Sequence, residues 1–172
     1  MPSSVAHVIS FSALLILVLV SAYFVNDIQV LNTQRVAKFL AREISHRVAR
    51  NLVELTNIAL KTNAENILLI KTLDIPTNIL NEGYKIKLSA EEGIYRVLVE
   101  IPDWSWLGTF SSEIPINETS TKIILETGGG SLQSGGHTIT YSYEILSGVS
   151  NPVVWAFKEN NTIRIGIGMM KS

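Results

Sequence analysis

Residues 8–25 of the chain read VISFSALLILVLVSAYFV, an apolar run that only three serines interrupt. A helix of this length, at about 1.5 Å per residue, measures about 27 Å, which is close to the hydrocarbon thickness of a bilayer. The run therefore predicts a membrane-spanning helix. The apolar surface of that span is represented by Val8, Phe11, Leu14, Leu17, Val20 and Phe24.

A cleaved secretion signal is the main alternative for this run. Such a signal needs a basic region ahead of the apolar residues and a small-residue cleavage site behind them. The preceding residues, MPSSVAH, contain no Lys or Arg, and Ser21-Ala22-Tyr23 is a poor cleavage site. The sequence thus favours an uncleaved anchor over a signal. It also argues against a buried core helix, because nothing else in the chain is large enough to surround one.

The helical pattern continues beyond the polar pair Asn26-Asp27. Apolar residues recur every three or four positions, which is typical of one helix face. Asn63, Asn66 and Pro76 mark the expected end, because proline disfavours the helical conformation in the residue before it. We predict a membrane helix over residues 1–27 and an amphipathic helix in the segment 28–75, with its regular turns ending near Thr62. The stripe that we assign to helix assembly comprises Val36, Leu40, Ile44, Val48, Leu52 and Leu55.

There are three alternatives for the surface that packs against this stripe. A small domain is too short to bury so long a stripe, which favours lateral assembly with copies of the chain or with other pilin-like helices. The stripe could instead pack on the chain's own β domain. The basic residues beside it, such as Arg42 and Arg50, would also suit a helix lying on anionic lipid.

The second half of the chain has the composition of a β domain. No glycine or proline occurs between Ser3 and Ile75, and all eleven glycines lie beyond that stretch. Alternating apolar residues predict a hairpin around the turn at Gly93 and a second around Asn160-Asn161. Shorter alternations over residues 122–126 and 139–145 predict further strands, and the glycine-rich residues 128–136 predict a flexible loop. The fold class is therefore α+β, with a small antiparallel β-sandwich over residues 76–172.

Composition and motifs argue against several functions. The chain has a net charge of −1, which does not favour nucleic-acid binding, and it has no cysteine to form a disulfide or a thiolate metal site. His7, His46 and His137 lack partners at metal-ligand spacing. No nucleophile elbow, Walker motif, zinc motif or calcium motif occurs. We expect no enzyme activity, no cofactor and no metal.

Two features of the β half carry functional information. Asn117 and Asn160 each begin an Asn-x-Thr acceptor for N-glycosylation, and both fall in predicted loops. Trp104 and Trp106 are two residues apart, so in an extended segment their indoles would point to the same side. They would either cap the sandwich core or form an exposed patch that binds a partner.

The side of the membrane on which the β half lies is contested. Arg35, Lys38 and Arg42 follow the apolar run, whereas its other flank has no basic residue, so the positive-inside rule favours a cytoplasmic head. The acceptor sequences and the sandwich favour an outside head. The basic residues start about ten positions beyond the apolar run, which weakens the rule. We expect a single-pass protein of the cell membrane with an extracellular head, which could be incorporated into a surface filament.

The layout resembles a known group. An N-terminal apolar helix that runs into an amphipathic helix and a small sandwich looks like the archaeal type IV pilin-like proteins. The join at residues 71–88, KTLDIPTNILNEGYKIKL, is similar to the Leu-x-Ile-Pro turn that leads into the first strand there. The archaellum accessory proteins F and G are the nearest in layout, and the resemblance implies a tether between a motor and the surface layer. No basic-glycine or basic-alanine processing site precedes Val8, which favours an accessory over a major pilin.

Three functional hypotheses follow, of which the last is a membrane-anchored enzyme whose site the sequence does not reveal. The first is a structural subunit that inserts its helix in the membrane or in a helical bundle and binds a filament or surface-layer protein. The second is a single-pass adaptor or sensor whose sandwich recognises a ligand or a protein. Under the first hypothesis we expect residues 78–172 to fold without the helix.

Overall fold

The computed structural model describes residues 2–91, 93–116, 121–134 and 136–171, of which residues 2–6 and 134 are described as backbone only. The chain divides into two compact units, Met1–Ala37 and Lys38–Ser172. One long helix, α1 (Pro2–Lys61), precedes strands that form two sheets. The α+β class predicted from the sequence is confirmed.

Helix α1 ends beside the predicted boundary. After Lys61 the main-chain N–H of Thr62 still donates to the carbonyl of Ile58 at 3.0 Å, and Asn66 then adopts a left-handed backbone with φ 57°. The segment 28–75 is not an amphipathic helix up to its predicted boundary, because Ile67–Thr72 form strand β1, which the sequence did not lead us to expect. Periodicity cannot separate a short apolar run such as ILLI from the continuation of a helix.

The strands form one six-stranded and one four-stranded sheet within the second unit. The larger sheet has the order β1-β9-β10-β7-β6, with β5 paired to β10, and the smaller has the order β4-β3-β2-β8. The remaining strands are β2 (Lys85–Glu91), β3 (Ile94–Glu100), β4 (Phe110–Glu113), β5 (Lys122–Leu125), β6 (Gly130–Ser134), β7 (His137–Ser142), β8 (Glu144–Leu146), β9 (Pro152–Glu159) and β10 (Thr162–Lys171).

Both predicted hairpins are present. Strands β2 and β3 pair antiparallel with Ile86 opposite Val99, and β9 and β10 pair antiparallel with Ala156 opposite Ile165. These pairs are local in sequence, and the alternation of each strand places its apolar residues on one face.

Three other predictions about strands need correction. The glycine-rich segment is not wholly a loop, because Gly130–Ser134 form β6 along β7. The alternation over residues 139–145 is divided between β7 and β8, which belong to different sheets. Strand β5 pairs parallel with β10, so the sandwich is not purely antiparallel. Each of these outcomes depends on a partner strand that local sequence does not reveal.

The second half of helix α1 belongs to the core of the β unit. Ile44, Val48, Leu52 and Leu55 are all buried. Side-chain hydrogen bonds join this part of the helix to both sheets, through Ser112 on β4 and Lys158 on β9. The compact unit therefore begins at Lys38 rather than at the predicted residue 76.

Candidate functional site

The apolar segment of α1 is exposed along its whole length. Its large apolar side chains have exposed fractions from 47% at Leu15 to 68% at Phe11, and Val8, Leu14, Leu17, Val20 and Phe24 lie between these values. The helix contains an 18-residue window of mean hydropathy 2.6, no part of which is buried. By length and composition this one helix can cross a membrane, and a secretion signal near an N-terminus would meet the same criteria.

The predicted assembly stripe is divided between two environments. Val36 is 45% exposed and Leu40 is half-buried, whereas Ile44, Val48, Leu52 and Leu55 are buried. A step of four residues turns about 40° beyond a full helical turn, so Val36 lies about 120° around the helix from Val48. The interpretation of the four buried residues as a surface for other helices is therefore wrong, because the chain's own β unit covers them.

A directed chain of hydrogen bonds holds the buried face of the helix against β4. The hydroxyl of Ser45 donates to the carbonyl of Arg42 at 2.8 Å, so its oxygen is left to accept from Ser112 at 2.9 Å. The single proton of Ser112 is thereby used, and its oxygen must accept from Nδ1 of His46 at 2.9 Å. This assigns a proton to Nδ1 of His46 and leaves none of the three groups without a partner.

Lysine side chains provide further links between the helix and the larger sheet. The ammonium of Lys158 donates to the carbonyls of Ala59 and Thr62, the former at 3.1 Å, where it satisfies acceptors at the helix C-terminus. The ammonium of Lys71 on β1 forms an ion pair with Glu54 at 2.6 Å. Side chains on an edge strand and on a central strand thus both hold the last turns of the helix.

The outer face of the smaller sheet is charged. Lys87 lies 2.7 Å from Glu100 and 3.6 Å from Glu144, and Lys85 lies 3.3 Å from Glu144. The hydrogen bond between Lys87 and Glu100 raises the pKa of Lys87 and lowers that of Glu100. Alternating charged positions are the expected pattern for a sheet face in contact with water.

The larger sheet presents an apolar outer face. Because Lys158 reaches the helix, its face of β9 is the inner one, and alternation places Val153, Trp155 and Phe157 on the other face. Trp155 is 1% exposed, lies against Tyr141 with ring centroids 5.0 Å apart, and donates from its indole nitrogen to the carbonyl of Ile167 at 3.3 Å. The half-buried side chains that surround this cluster are Leu68, Ile70, Leu132, Tyr141, Phe157 and Met170.

The tryptophan pair lies in a tight turn rather than in an extended segment. Pro102–Leu107 form a 3-10 helix, which the two-residue spacing does not reveal. The ring centroids of Trp104 and Trp106 are 6.5 Å apart, and Trp106 is 60% exposed. The second indole therefore does not cap the core, and the pair presents an aromatic surface.

The two predicted glycosylation acceptors differ in what the structure describes. Asn117 lies outside the described residues. Asn160 is exposed in the turn between β9 and β10, with a left-handed backbone at φ 52°. Asparagine is one of the residues that this two-residue turn favours, so its presence there has a structural explanation as well as a chemical one.

Within the described part of the chain, no group of three or more His, Asp or Glu residues could hold a metal ion. A shallow depression of about 310 Å³ on the exposed side of the helix is lined by Glu43, His46, Arg47 and Arg50. Three of these groups are already engaged, since Arg47 forms an ion pair with Glu43 at 2.8 Å and His46 is hydrogen-bonded to Ser112 at 2.9 Å. The arrangement provides charge on a surface and no enclosed reaction site.

No protein-family model, curated protein or solved structure matches this chain. Of the features predicted from the sequence, the structure contains the membrane-length apolar segment and places it in one long helix. What sequence reasoning missed is the apolar outer face of the larger sheet. The uninterrupted apolar run at residues 153–157 in β9 could have indicated it, because adjacent residues such as Val154 and Trp155 lie on opposite faces of a strand.

Proposed function

We propose that the chain is a membrane-anchored structural subunit, a pilin-like accessory of a cell-surface filament, with its β unit outside the cell. The observation that carries this proposal is the exposed apolar segment. So large an apolar surface is unfavourable in water and favourable in the hydrocarbon of a bilayer. The same helix also supplies Ile44, Val48 and Leu52 to the core of the β unit.

The partners in this proposal are the membrane and other subunits. The resemblance to archaellum accessory proteins adds a surface-layer protein as a further partner, and Trp104 and Trp106 offer it an aromatic surface. Glycan attached at Asn117 or Asn160 would be consistent with an extracellular head.

Membrane anchoring can be tested with the full chain and a charged variant of its apolar segment. We expect the wild-type protein to remain in membranes washed with alkaline carbonate. The double change Leu14→Lys and Leu17→Lys should release it, because each charge near the bilayer centre costs about 3 kcal/mol. The matched control is Lys38→Glu, which alters a charge at an exposed position outside the apolar segment.

Orientation and processing are measured on the same cells. Protease added outside should remove the β unit, whereas complete protection would contradict an extracellular head. The N-terminal sequence of the mature protein should include the apolar segment. A mature chain that begins after Ala22 would identify the segment as a signal and refute the anchor.

The second candidate is a single-pass adaptor or sensor, which the exposed Trp106 favours. Under this alternative the protein would be monomeric in detergent, and Trp106→Ala would abolish capture of its ligand without any effect on self-association. Under the structural proposal the protein self-associates.

A further inference from the structure

The β unit has two ends, which are defined by its contacts with the part of helix α1 that it contains. Strand β1 runs opposite to the helix, because Lys71 forms an ion pair with Glu54. Three residues later, the carbonyl of Asp74 accepts from Arg47 at 2.6 Å, one to two helical turns back toward the start of the unit. We call the end near Lys38, where the helix enters the unit, the entry end, and the opposite end the far end.

Two loops of the β unit lie at the entry end. Beyond β1 the carbonyl of Pro76 accepts from the hydroxyl of Tyr84, and the main-chain N–H of Ser147 donates to the carbonyl of Tyr84 at 2.7 Å. Leu80 lies in the turn that connects Pro76 to Tyr84, and Leu146 is the neighbour of Ser147 in the chain. Both leucines are therefore at the entry end.

The turn that carries the two neighbouring tryptophans lies at the same end. Strand β2 leaves the entry end at Lys85, which pairs with Glu100 near the end of β3. The 3-10 helix Pro102–Leu107 begins two residues after Glu100. Trp104 and Trp106 thus follow the end of β3 that lies toward the entry end.

The hydrogen bond between Ser45 and Ser112 supports this placement independently. Ser112 pairs with Val97, and Glu100 lies three residues further along β3, which is about 10 Å. Lys38 lies seven residues before Ser45 on the helix, which is also about 10 Å. The end of β3 is therefore level with the point at which the helix enters the unit.

Exposed apolar side chains of the β unit are concentrated at the entry end. Among its described residues, seven large apolar side chains are exposed, and four of these lie at the entry end. The four are Phe39, Leu80, Trp106 and Leu146, and the other three are Ile58, Ile94 and Tyr143. We call these four, together with the half-buried Trp104, the apolar entry surface.

We propose that the apolar entry surface rests on the polar layer of the bilayer that holds the apolar segment. This inference rests on the proposed function, in which residues 8–25 span the membrane. It assigns lipid, rather than a surface-layer protein, as the partner of the tryptophan pair.

The side chains at this end suit the boundary between lipid and water. An indole has an apolar body and one N–H donor, and tryptophan is enriched where the hydrocarbon meets the polar layer. Trp106 is 60% exposed and its ring centroid lies 6.5 Å from that of Trp104, so the two rings form one patch. Contact with the polar layer removes this apolar area from water and leaves the N–H groups among acceptors.

The chain between the span and the entry end is short enough for this contact. Val25 and Lys38 are thirteen residues apart, which is about 20 Å of helix. The polar layer takes up about 5–8 Å of that distance, and the six residues of Pro102–Leu107 extend up to about 12 Å. Ile94 at the far end of β3 is about 20 Å further away, beyond the reach of the polar layer.

Charge at the entry end does not select an anionic partner. Groups of both signs lie there, among them Lys38, Lys171, Glu82 and Asp103. The apolar side chains therefore provide the contact, and a neutral lipid is sufficient to form it.

Fluorescence quenching in vesicles tests the contact on the full chain, because the native sequence has no cysteine. Variants with Leu146→Cys or Trp106→Cys at the entry end carry a thiol-linked fluorophore and are reconstituted in phosphatidylcholine. The matched controls are Ile94→Cys and Ile58→Cys, which are exposed apolar positions toward the far end. Lipids with a nitroxide on the headgroup are then included.

We expect the nitroxide to reduce the emission of the entry-end probes about twofold or more and that of the far-end probes by less than about a tenth, because about 20 Å of strand separates the two ends. In the Leu146→Cys chain, the double change Trp104→Ala and Trp106→Ala should remove most of the quenching. Ile94→Ala is its control and should leave the quenching unchanged.

Equal quenching at the two ends would overturn the proposal, and so would quenching at Leu146 that persists without the two indoles. A further probe, Leu17→Cys, measures quenching by a nitroxide on the acyl chain. Quenching of this probe without quenching at the entry end would keep the proposed anchor, refute the contact with lipid and leave the tryptophan pair for a protein. A Leu17 probe that is not quenched would refute the anchor and this inference together.

Discussion

At the scale of single residues, the chain shows how a glycine can be required by a neighbour rather than by its own backbone. A Cβ at Gly166 would lie 2.6 Å from Cζ2 of Trp155, and this indole is fully buried and cannot move aside. The absence of a side chain at Gly166 is what allows Trp155 to lie flat on β10 and donate to Ile167.

The first prediction concerns this close contact. Gly166→Ala should lower the free energy of unfolding by about 1–3 kcal/mol, because extra atoms in a filled site force their neighbours to shift. Denaturant unfolding in detergent micelles, followed by the fluorescence of tryptophan, measures the change. Gly128→Ala is the matched control, since a Cβ there meets nothing within 4 Å, and it should change stability by less than about 0.5 kcal/mol. Equal effects from the two variants would contradict the packing of Trp155.

The second prediction concerns Tyr84, whose hydroxyl donates to the carbonyl of Pro76 and whose side chain is 1% exposed. Burial raises the pKa of Tyr84 from 10.0 to about 12. Between these pH values the folded chain keeps a proton that the unfolded chain has lost. The contribution of this group to stability is therefore complete below pH 10, and about 2–3 kcal/mol is lost as the pH rises to 12.

Unfolding measured between pH 8 and pH 12 tests the Tyr84 effect. Tyr84→Phe should reduce stability at neutral pH, through loss of the hydrogen bond, and should flatten the decline above pH 10. Tyr143→Phe is the control at an exposed tyrosine and should leave the decline unchanged. A wild-type chain with no loss of stability above pH 10 would show that Tyr84 ionises as freely in the folded state as in the unfolded state.

At the scale of elements, helix α1 changes its surroundings along its length. Its first part exposes apolar groups on every side, its middle exposes Ile28, Val36 and Phe39, and its last part is buried in the β unit. The i+4 pattern alone gave Val36 and Val48 the same role, although the drift of about 40° per step separates them.

The third prediction compares one substitution at these two positions. Val48→Asp should unfold the β unit, because a carboxylate at a 0%-exposed position has no partner and costs about 3–5 kcal/mol. Val36→Asp should leave the free energy of unfolding nearly unchanged, because Val36 is 45% exposed. Circular dichroism and denaturant unfolding of the two variants in detergent measure this difference. A folded Val48→Asp protein would show that the helix stretch after Lys38 is dispensable to the core.

At the scale of the whole molecule, the compact β unit begins inside the helix. Lys38–Ser172 contains the buried helix face, strand β1 and the bonds of Lys71 and Lys158. The sequence alone led us to expect that residues 78–172 would fold without the helix. The observed packing argues against that expectation, because this fragment would expose the residues that Val48, Leu52 and Leu55 cover.

The fourth prediction is a comparison of two fragments. Lys38–Ser172 should be soluble and unfold in one cooperative transition, whereas residues 78–172 should aggregate or bind dyes that detect exposed apolar surface. Denaturant unfolding and proton NMR dispersion distinguish the outcomes. A well-dispersed spectrum for residues 78–172 would show that the sheets have a sufficient core of their own.

The sequence by itself determined the elements that depend on neighbouring residues. The 18-residue apolar run, the end of the helix near Thr62 and the two hairpins follow from composition and period, because each involves residues that are close along the chain. Those features were sufficient for the α+β class and for a candidate membrane anchor.

Only the tertiary structure decided which surfaces are covered. The burial of Ile44 and Val48 by the β unit, the pairing of β5 with β10, the hydrogen-bond chain through Ser45, Ser112 and His46, and the apolar outer face around Trp155 all join residues far apart in sequence. A periodic pattern shows that one face of an element is apolar, but it does not show which surface packs against that face. The free energy of burial depends on the apolar area removed from water and not on the identity of the surface that covers it.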